Sequence, residues 1–215
     1  MTRVMIADDH AVVRNGLKHI LERAGEFDVV GEAADGAQIP MMVKDCAPNV
    51  LLLDLSMPGR SGLELIRRLR EAYPALRILV LTIHSEEQYI VRAFQAGAAG
   101  YLTKESAAEE LVTAVSHVAT GGTYVGLSIA EKLASSFQGN SDEVPHRRLS
   151  NRELEVYRRL VRGEPLTNIA LALCVSPKTV STYKMRLMEK MQMPNEVQLV
   201  RYALRHHLFE EGENL

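Results

Sequence analysis

A doubly wound α/β domain followed by a separate all-helical domain is predicted for this chain on three observations. Over the first 120 residues, short apolar runs alternate with amphipathic stretches. The runs are Val4–Ala7, Val29–Ala33, Val50–Asp54, Ile78–Thr82 and Ala99–Leu102, and the segments between them place apolar residues at helical spacing, as at Val13, Leu17, Ile20 and Leu21. Second, runs such as Leu51-Leu52-Leu53 and Ile78-Leu79-Val80-Leu81 show no polar alternation. That marks strands buried on both faces, as in a parallel sheet with helices on either side. Five βα units and a parallel five-stranded sheet follow. Third, from His146 onward the pattern is helical alone, over Asn151–Arg162, Leu166–Leu173, Pro177–Met191 and Asn195–His207, with no strand between.

The connection between the two parts reads as a helix over Leu127–Phe137 and then a polar, turn-rich linker, Gln138-Gly139-Asn140-Ser141-Asp142-Glu143-Val144-Pro145. The expected division is 1–120, 121–145 and 146–210. A length of 215 residues suffices for two cores. No apolar stretch approaches the roughly 20 residues that span a bilayer, and no export signal is recognised, so a cytoplasmic protein without membrane contact is expected. Cys46 and Cys174 fit neither a disulfide framework nor a metal-ligand spacing and are expected to be reduced packing residues. Charge separates the two parts. Residues 1–125 hold 12 basic and 16 acidic residues, a net of −4; from His146 to Phe209, 12 basic residues face 5 acidic ones, a net of +7. A basic domain attracts polyanions, nucleic acid above all.

The strand ends carry the chemistry. Asp8 and Asp9 close the first run, Asp54 the third, Thr82 the fourth, and Lys104 follows the fifth. Parallel strands bring their C-terminal ends to one edge, so these groups are expected to share a crevice. Mg²⁺ prefers oxygen ligands and needs only one or two protein carboxylates, which Asp8, Asp9 and Asp54 supply. A divalent ion would offset their mutual repulsion and present a phosphoryl group to a nucleophilic Asp, with Lys104 and the Thr82 hydroxyl on phosphate oxygens.

These residues carry a resemblance. Asp8-Asp9 before His10, the loop Asp54-Leu55-Ser56-Met57-Pro58-Gly59 with Gly62, Thr82, and Tyr101 with Lys104 resemble the receiver domain of two-component response regulators over about residues 1–120. The resemblance implies a flavodoxin-like fold in which Asp54 accepts a phosphoryl group from a sensor histidine kinase. It also implies that Asp9, Asp54 and the Ser56 backbone carbonyl hold Mg²⁺ while Asp8 assists through water. Thr82 and Tyr101 match the switch pair, and Ser56 and His84 match positions that tune dephosphorylation.

In the basic part, Ser150-Asn151-Arg152-Glu153 is a capping box that starts a helix, and Gly163 ends it. Ser176-Pro177 starts another, with Pro where its missing N–H is harmless. Cys174 and Val175 alone separate that helix from the one before, so the pair reads as a helix-turn-helix. On its second helix Val180, Leu187 and Met191 are the core side. Lys178, Ser181, Thr182 and Met185 are expected to face the major groove, with Thr179, Lys184 and Arg186 flanking them on phosphates. Residues 146–208 resemble the LuxR-type domain of NarL/FixJ-family regulators through Leu149–Val156, Gly163, Ile169-Ala170, Leu173, Val175-Ser176, Lys178-Thr179-Val180 and Glu189-Lys190-Met191. Two departures stand out: Pro165-Leu166-Thr167-Asn168 replaces a frequent Ser-Asn-Lys-Glu-type run, removing a usual basic phosphate contact, and Tyr183 stands where His is frequent. The run Val180-Ser181-Thr182-Tyr183-Lys184 is most similar to the subgroup of GacA, UvrY and BvgA type.

The expectation is a phosphorylation-controlled transcription regulator. It would bind double-stranded promoter DNA, as a homodimer at least on DNA, with RNA polymerase as a further partner, and with no enzymatic turnover beyond slow self-dephosphorylation. The apolar face of the last helix, at Val197, Val200 and Leu204, is a candidate dimer surface, with packing against its own domain as the alternative role of those residues. Asp-nucleophile phosphohydrolases compete as a reading, but they place Asp-x-Asp after the first strand, whereas Asp8 and Asp9 are adjacent and the nucleophile candidate lies on a later strand. A regulator acting through RNA or protein partners is the third class.

Overall fold

The computed structural model describes residues 1–57, 62–83, 87–131, 145–206 and 208. The chain divides into two units, Met1–Gly139 and Asn140–Leu215. In the first, the order is β1 (Thr2–Ala7), α1 (Ala11–Ala24), β2 (Phe27–Ala33), α2 (Ile39–Cys46), β3 (Val50–Leu53), α3 (Gly62–Ala72), β4 (Arg77–Thr82), α4 (Glu87–Ala96), β5 (Gly100–Thr103), α5 (Ala107–Ala119) and β6 (Tyr124–Val125), after which residues 127–131 are helical (α6). The strands pair in the order β2-β1-β3-β4-β5-β6, every pair parallel.

Side-chain alternation along the buried strands builds two cores. Met5, Ala7, Leu51, Leu53, Ile78, Val80 and Tyr101 pack with residues of α2, α3 and α4 such as Val43, Ile66 and Ile90. Their neighbours Val4, Ile6, Val50, Leu52, Leu79, Leu81 and Leu102 pack on the opposite side with Leu17 and Leu21 of α1 and Leu111 and Val115 of α5. Polar residues are absent from these runs because both faces are covered.

The sheet has six strands, one more than the periodicity predicts. The sixth, Tyr124–Val125, is too short to carry a period of two. Tyr124 N–H donates to Ala99 O at 3.1 Å and Gly126 N–H to Tyr101 O at 3.0 Å, while Tyr124 Oη donates to Glu110 Oε2 at 2.7 Å. Gly100 makes the close pairing possible, since a Cβ there would lie 2.7 Å from Leu79 Cδ1 and 3.0 Å from Tyr124 O. The helix expected over Leu127–Phe137 begins at 127, and Ile129 is fully buried in the cluster that holds Tyr101. Its remainder, like the linker before Pro145, lies outside the described residues. The Arg77 guanidinium secures the end of α5, donating to Gly122 O at 2.7 Å, Gly121 O at 3.0 Å and Val118 O at 3.3 Å.

The second unit follows the predicted helices. A 3₁₀ turn (Pro145–Arg148) precedes α7 (Asn151–Val161), α8 (Leu166–Ala172), α9 (Pro177–Met191) and α10 (Glu196–Arg205). Both halves of the capping box form: Glu153 N–H donates to Ser150 Oγ at 3.4 Å and Ser150 N–H to Glu153 Oε2 at 2.7 Å. Gly163, at φ 77°, follows the C-cap of α7 in the left-handed region that favours glycine. The sharp turn between α8 and α9 puts Cys174 at φ 52°, and there the cysteine is exposed rather than packed, a correction to its expected role. Ser176 and Asn195 cap α9 and α10, accepting from Thr179 N–H at 3.1 Å and Gln198 N–H at 3.0 Å. The core joins Leu154, Tyr157, Ile169, Val180, Leu187, Met191, Leu199 and Ala203. Glu153, 3% exposed, meets Lys190 Nζ at 2.6 Å, tying α7 to α9.

Candidate functional site

The strand order sets β1, β3, β4 and β5 side by side, and the chemistry-bearing residues leave their C-terminal ends together. Asp8 follows Ala7, Asp54 follows Leu53, Thr82 ends β4 and Lys104 follows Thr103. Backbone bonds hold these exits: Asp54 N–H donates to Ala7 O at 2.9 Å and Lys104 N–H to Thr82 O at 3.0 Å. Lys104 Nζ lies 2.7 Å from Asp8 Oδ2 and 2.8 Å from Asp54 Oδ2. Ser56 N–H donates to Asp54 Oδ1 at 2.9 Å, and His10 N–H to Asp8 Oδ1 at 2.9 Å. Asp8 and Asp54 are buried and Asp9 is exposed at the rim.

Burial pushes the Asp54 carboxyl above its ordinary range, and Asp8 adds to the rise; Lys104 and the Ser56 N–H offset only part of it. Burial works against the charge of Lys104, but Asp54 and Asp8 outweigh it and hold the ammonium above its ordinary value. Asp54 is therefore a carboxylate whose charge is expensive in this crevice.

Asp8, Asp9, His10 and Asp54 can each present one ligand atom within 4.8 Å of the others. Asp8 Oδ2 is buried without a partner of good hydrogen-bond geometry, although Lys104 lies within ion-pair distance. Three carboxylates against one ammonium, with an under-satisfied buried oxygen among them, fit a hard divalent cation such as Mg²⁺. His10 was not singled out as a site residue by sequence, yet its Nδ1 lies 2.8 Å from Asp9 Oδ1 and 3.4 Å from Asp8 Oδ1. Its adjacency to Asp9 was the available signal.

Thr82 and Tyr101 are both fully buried, the ring of Tyr101 within the core beneath α4. Gly62 opens α3 against the loop that follows Asp54, where a Cβ would lie 2.9 Å from Leu55 Cα. Pro58, Gly59 and His84 lie outside the described residues.

In the second unit, α9 turns Val180, Leu187 and Met191 into the core and leaves Lys178, Ser181, Met185 and Arg186 exposed, with Thr179 and Thr182 half-buried beside them. Lys184 departs from the expected face. It follows Val180 by four residues, about 40° around the helix, so it leans toward the core side. Its ammonium pairs with Glu196 at the start of α10. The other predicted groove and phosphate residues share one face.

Two family models match the chain: "Response regulator receiver domain" over residues 4–116 and "Bacterial regulatory proteins, luxR family" over residues 147–203. It is 36% identical to the response regulator GacA of Pseudomonas aeruginosa over 211 residues, 98% of this chain and 99% of that protein. It is 40% identical to the oxygen regulatory protein NreC of Staphylococcus epidermidis over 216 residues, 97% and 99% of the two chains. Among solved structures, RcsB from Salmonella enterica serovar Typhimurium bound to promoter rprA in the presence of the phosphomimetic BeF₃⁻ is similar, with TM-score 0.68, 30% identity, and coverage of 94% of this chain and 97% of that one. An acidic crevice at the sheet edge, a basic helix-turn-helix and these matches over both parts lead to one conclusion: the chain belongs to the NarL/FixJ family of response regulators, transcription regulators that join a receiver domain to a LuxR-type DNA-binding domain.

Proposed function

We propose that Asp54 is the phosphoryl acceptor of this regulator, that a sensor histidine kinase is its donor, and that phosphorylation changes how α9 engages promoter DNA. The observation that carries the reading is the convergence of Lys104 Nζ on both Asp54 and Asp8 at 2.7–2.8 Å. An Asp54 oxygen attacks phosphorus, the bond from phosphorus to the donor nitrogen breaks, and the kinase histidine leaves. Asp9, Asp54 and the Ser56 backbone carbonyl would hold Mg²⁺, with Asp8 assisting through water, and the bound ion would supply charge neutralisation for the transferring group. Lys104 pairs with a phosphoryl oxygen once Asp54 carries the group, so its ammonium is already placed. Thr82 offers its hydroxyl to another oxygen, and Tyr101, deep in the core beneath α4, follows the change in packing. The chemistry happens on the protein itself, and any later loss of the group is slow self-hydrolysis.

The output is the exposed face of α9 carrying Lys178, Thr179, Ser181, Thr182, Met185 and Arg186, within a domain of net positive charge. Lys184, paired with Glu196, secures α10 to α9 unless DNA draws it away. On DNA the protein is a homodimer. Val197 and Leu204 of α10 are 61% and 60% exposed while Leu199 and Ala203 of the same helix are buried, so α10 has a second apolar face for a second copy. RNA polymerase is the downstream partner, and the protein works in the cytoplasm.

Labelling with radioactive acetyl phosphate in Mg²⁺ tests the centre of this reading. Asp54→Asn abolishes the label, and undiminished label in that variant removes the Asp54 assignment. Sedimentation of the full chain with operator duplex tests the dimer: a 2:1 complex is expected, reduced to 1:1 by Val197→Asp.

A further inference from the structure

The hydroxyl groups along the exposed side of α9 are engaged with the helix itself. Ser181 Oγ donates to Pro177 O and Thr182 Oγ1 to Lys178 O, both at 3.0 Å, and Thr179 Oγ1 lies 2.8 Å from the capping Ser176 Oγ. Lys184 leans toward the core and pairs with Glu196. The middle of the face is therefore poor in free donors. It is occupied by Met185, 63% exposed, with the methyl group of Thr182 one turn before it. A flexible thioether this exposed gains nothing from water, and the charged groups around it, Lys178 and Arg186, suit a polyanion.

The major groove presents one apolar feature, the C5 methyl of thymine. We infer that α9 reads thymine through that methyl, with Met185 and the Thr182 methyl forming the apolar contact, while Lys178 and Arg186 supply the charge that holds the helix in the groove. This rests on the proposed DNA-binding role of α9 and adds what that helix selects: T·A pairs at the centre of each half-site, in place of guanine held by a bidentate cation.

The test uses the full-length protein. Duplexes are selected from a random pool, and each thymine of the selected site is replaced in turn by uracil, which deletes only the methyl. Removing a contacted methyl is expected to weaken binding about fourfold, from ~0.8 kcal/mol per buried methyl at 1.4 kcal/mol per tenfold. Met185→Ala abolishes that loss, Met185→Leu preserves it, and neither changes the slope of affinity against salt. The inference is overturned if no single uracil changes the affinity of the unmodified protein, or if Met185→Ala retains the full uracil effect. Failure to enrich any duplex would instead overturn the DNA-binding role itself, so the two failures are distinguishable.

Discussion

Replacing Lys104 by methionine keeps most of the side-chain volume and removes the cation that touches both buried carboxylates. At an effective dielectric constant of about 20, unit charges at 2.7–2.8 Å attract by roughly 6 kcal/mol, and two carboxylates within 4.8 Å repel by at least roughly 3.5 kcal/mol. Desolvation of the ammonium offsets much of the attraction, and breaking a buried pair from one side typically costs about 3–5 kcal/mol. We expect Lys104→Met to lose that much stability at neutral pH in EDTA. The pH dependence has a defined sign. Asp54 has a raised folded value, so the native state holds its proton more tightly than the unfolded chain, and stability falls as pH rises above the ordinary carboxyl value of 3.8 through the folded one. Without Lys104 that value rises further, so the fall extends to higher pH and the loss shrinks under mild acid. Millimolar Mg²⁺ takes over the missing charge and should stabilise the variant more than the parent. Urea unfolding of both proteins, with EDTA or Mg²⁺ and from pH 4.5 to 8, reads all three effects. A variant within about 1 kcal/mol of the parent in EDTA at pH 7, or equal stabilisation of both by Mg²⁺, would refute the reasoning.

Glu153→Gln should destabilise the helical unit by about 1–3 kcal/mol near neutrality, because the Lys190 ammonium then meets a neutral amide oxygen instead of a carboxylate. Burial alone would raise the Glu153 value, but Lys190 and Ser150 outweigh it and lower it, so its contribution is present above 4.5 and disappears as pH falls through the folded value. The variant's acid unfolding profile should be correspondingly flatter, and an unchanged profile counts against the role. Ile129→Ala should cost about 2–4 kcal/mol in unfolding of the receiver, since Ile129 is fully buried beside Tyr101; a loss below 1 kcal/mol would mean that α6 adds little to that core. Gly100→Ala should cost about 1–3 kcal/mol by overpacking against Leu79 and the Tyr124 carbonyl, measured by thermal unfolding, and a neutral result would show that β6 can give way.

Much of this protein is legible along the chain. Periods of 2 and 3.6 residues, the Ser150/Glu153 box and the Ser176-Pro177 start specify local backbone geometry through neighbours at most four residues away, so those elements form where the pattern places them. The strand-end positions of Asp8, Asp54, Thr82 and Lys104 follow for the same reason. Tertiary structure decided what depends on partners distant in sequence. The strand order brings Lys104 across fifty positions to Asp54. The two-residue β6 pairs with β5 at Gly100, where the missing side chain leaves room for Tyr124. Lys184 finds its partner in Glu196 of the next helix, and Lys190 of α9 pairs with the buried Glu153 of α7. A charge or a two-residue strand has no period of its own, and what it becomes is set by the groups that folding brings beside it.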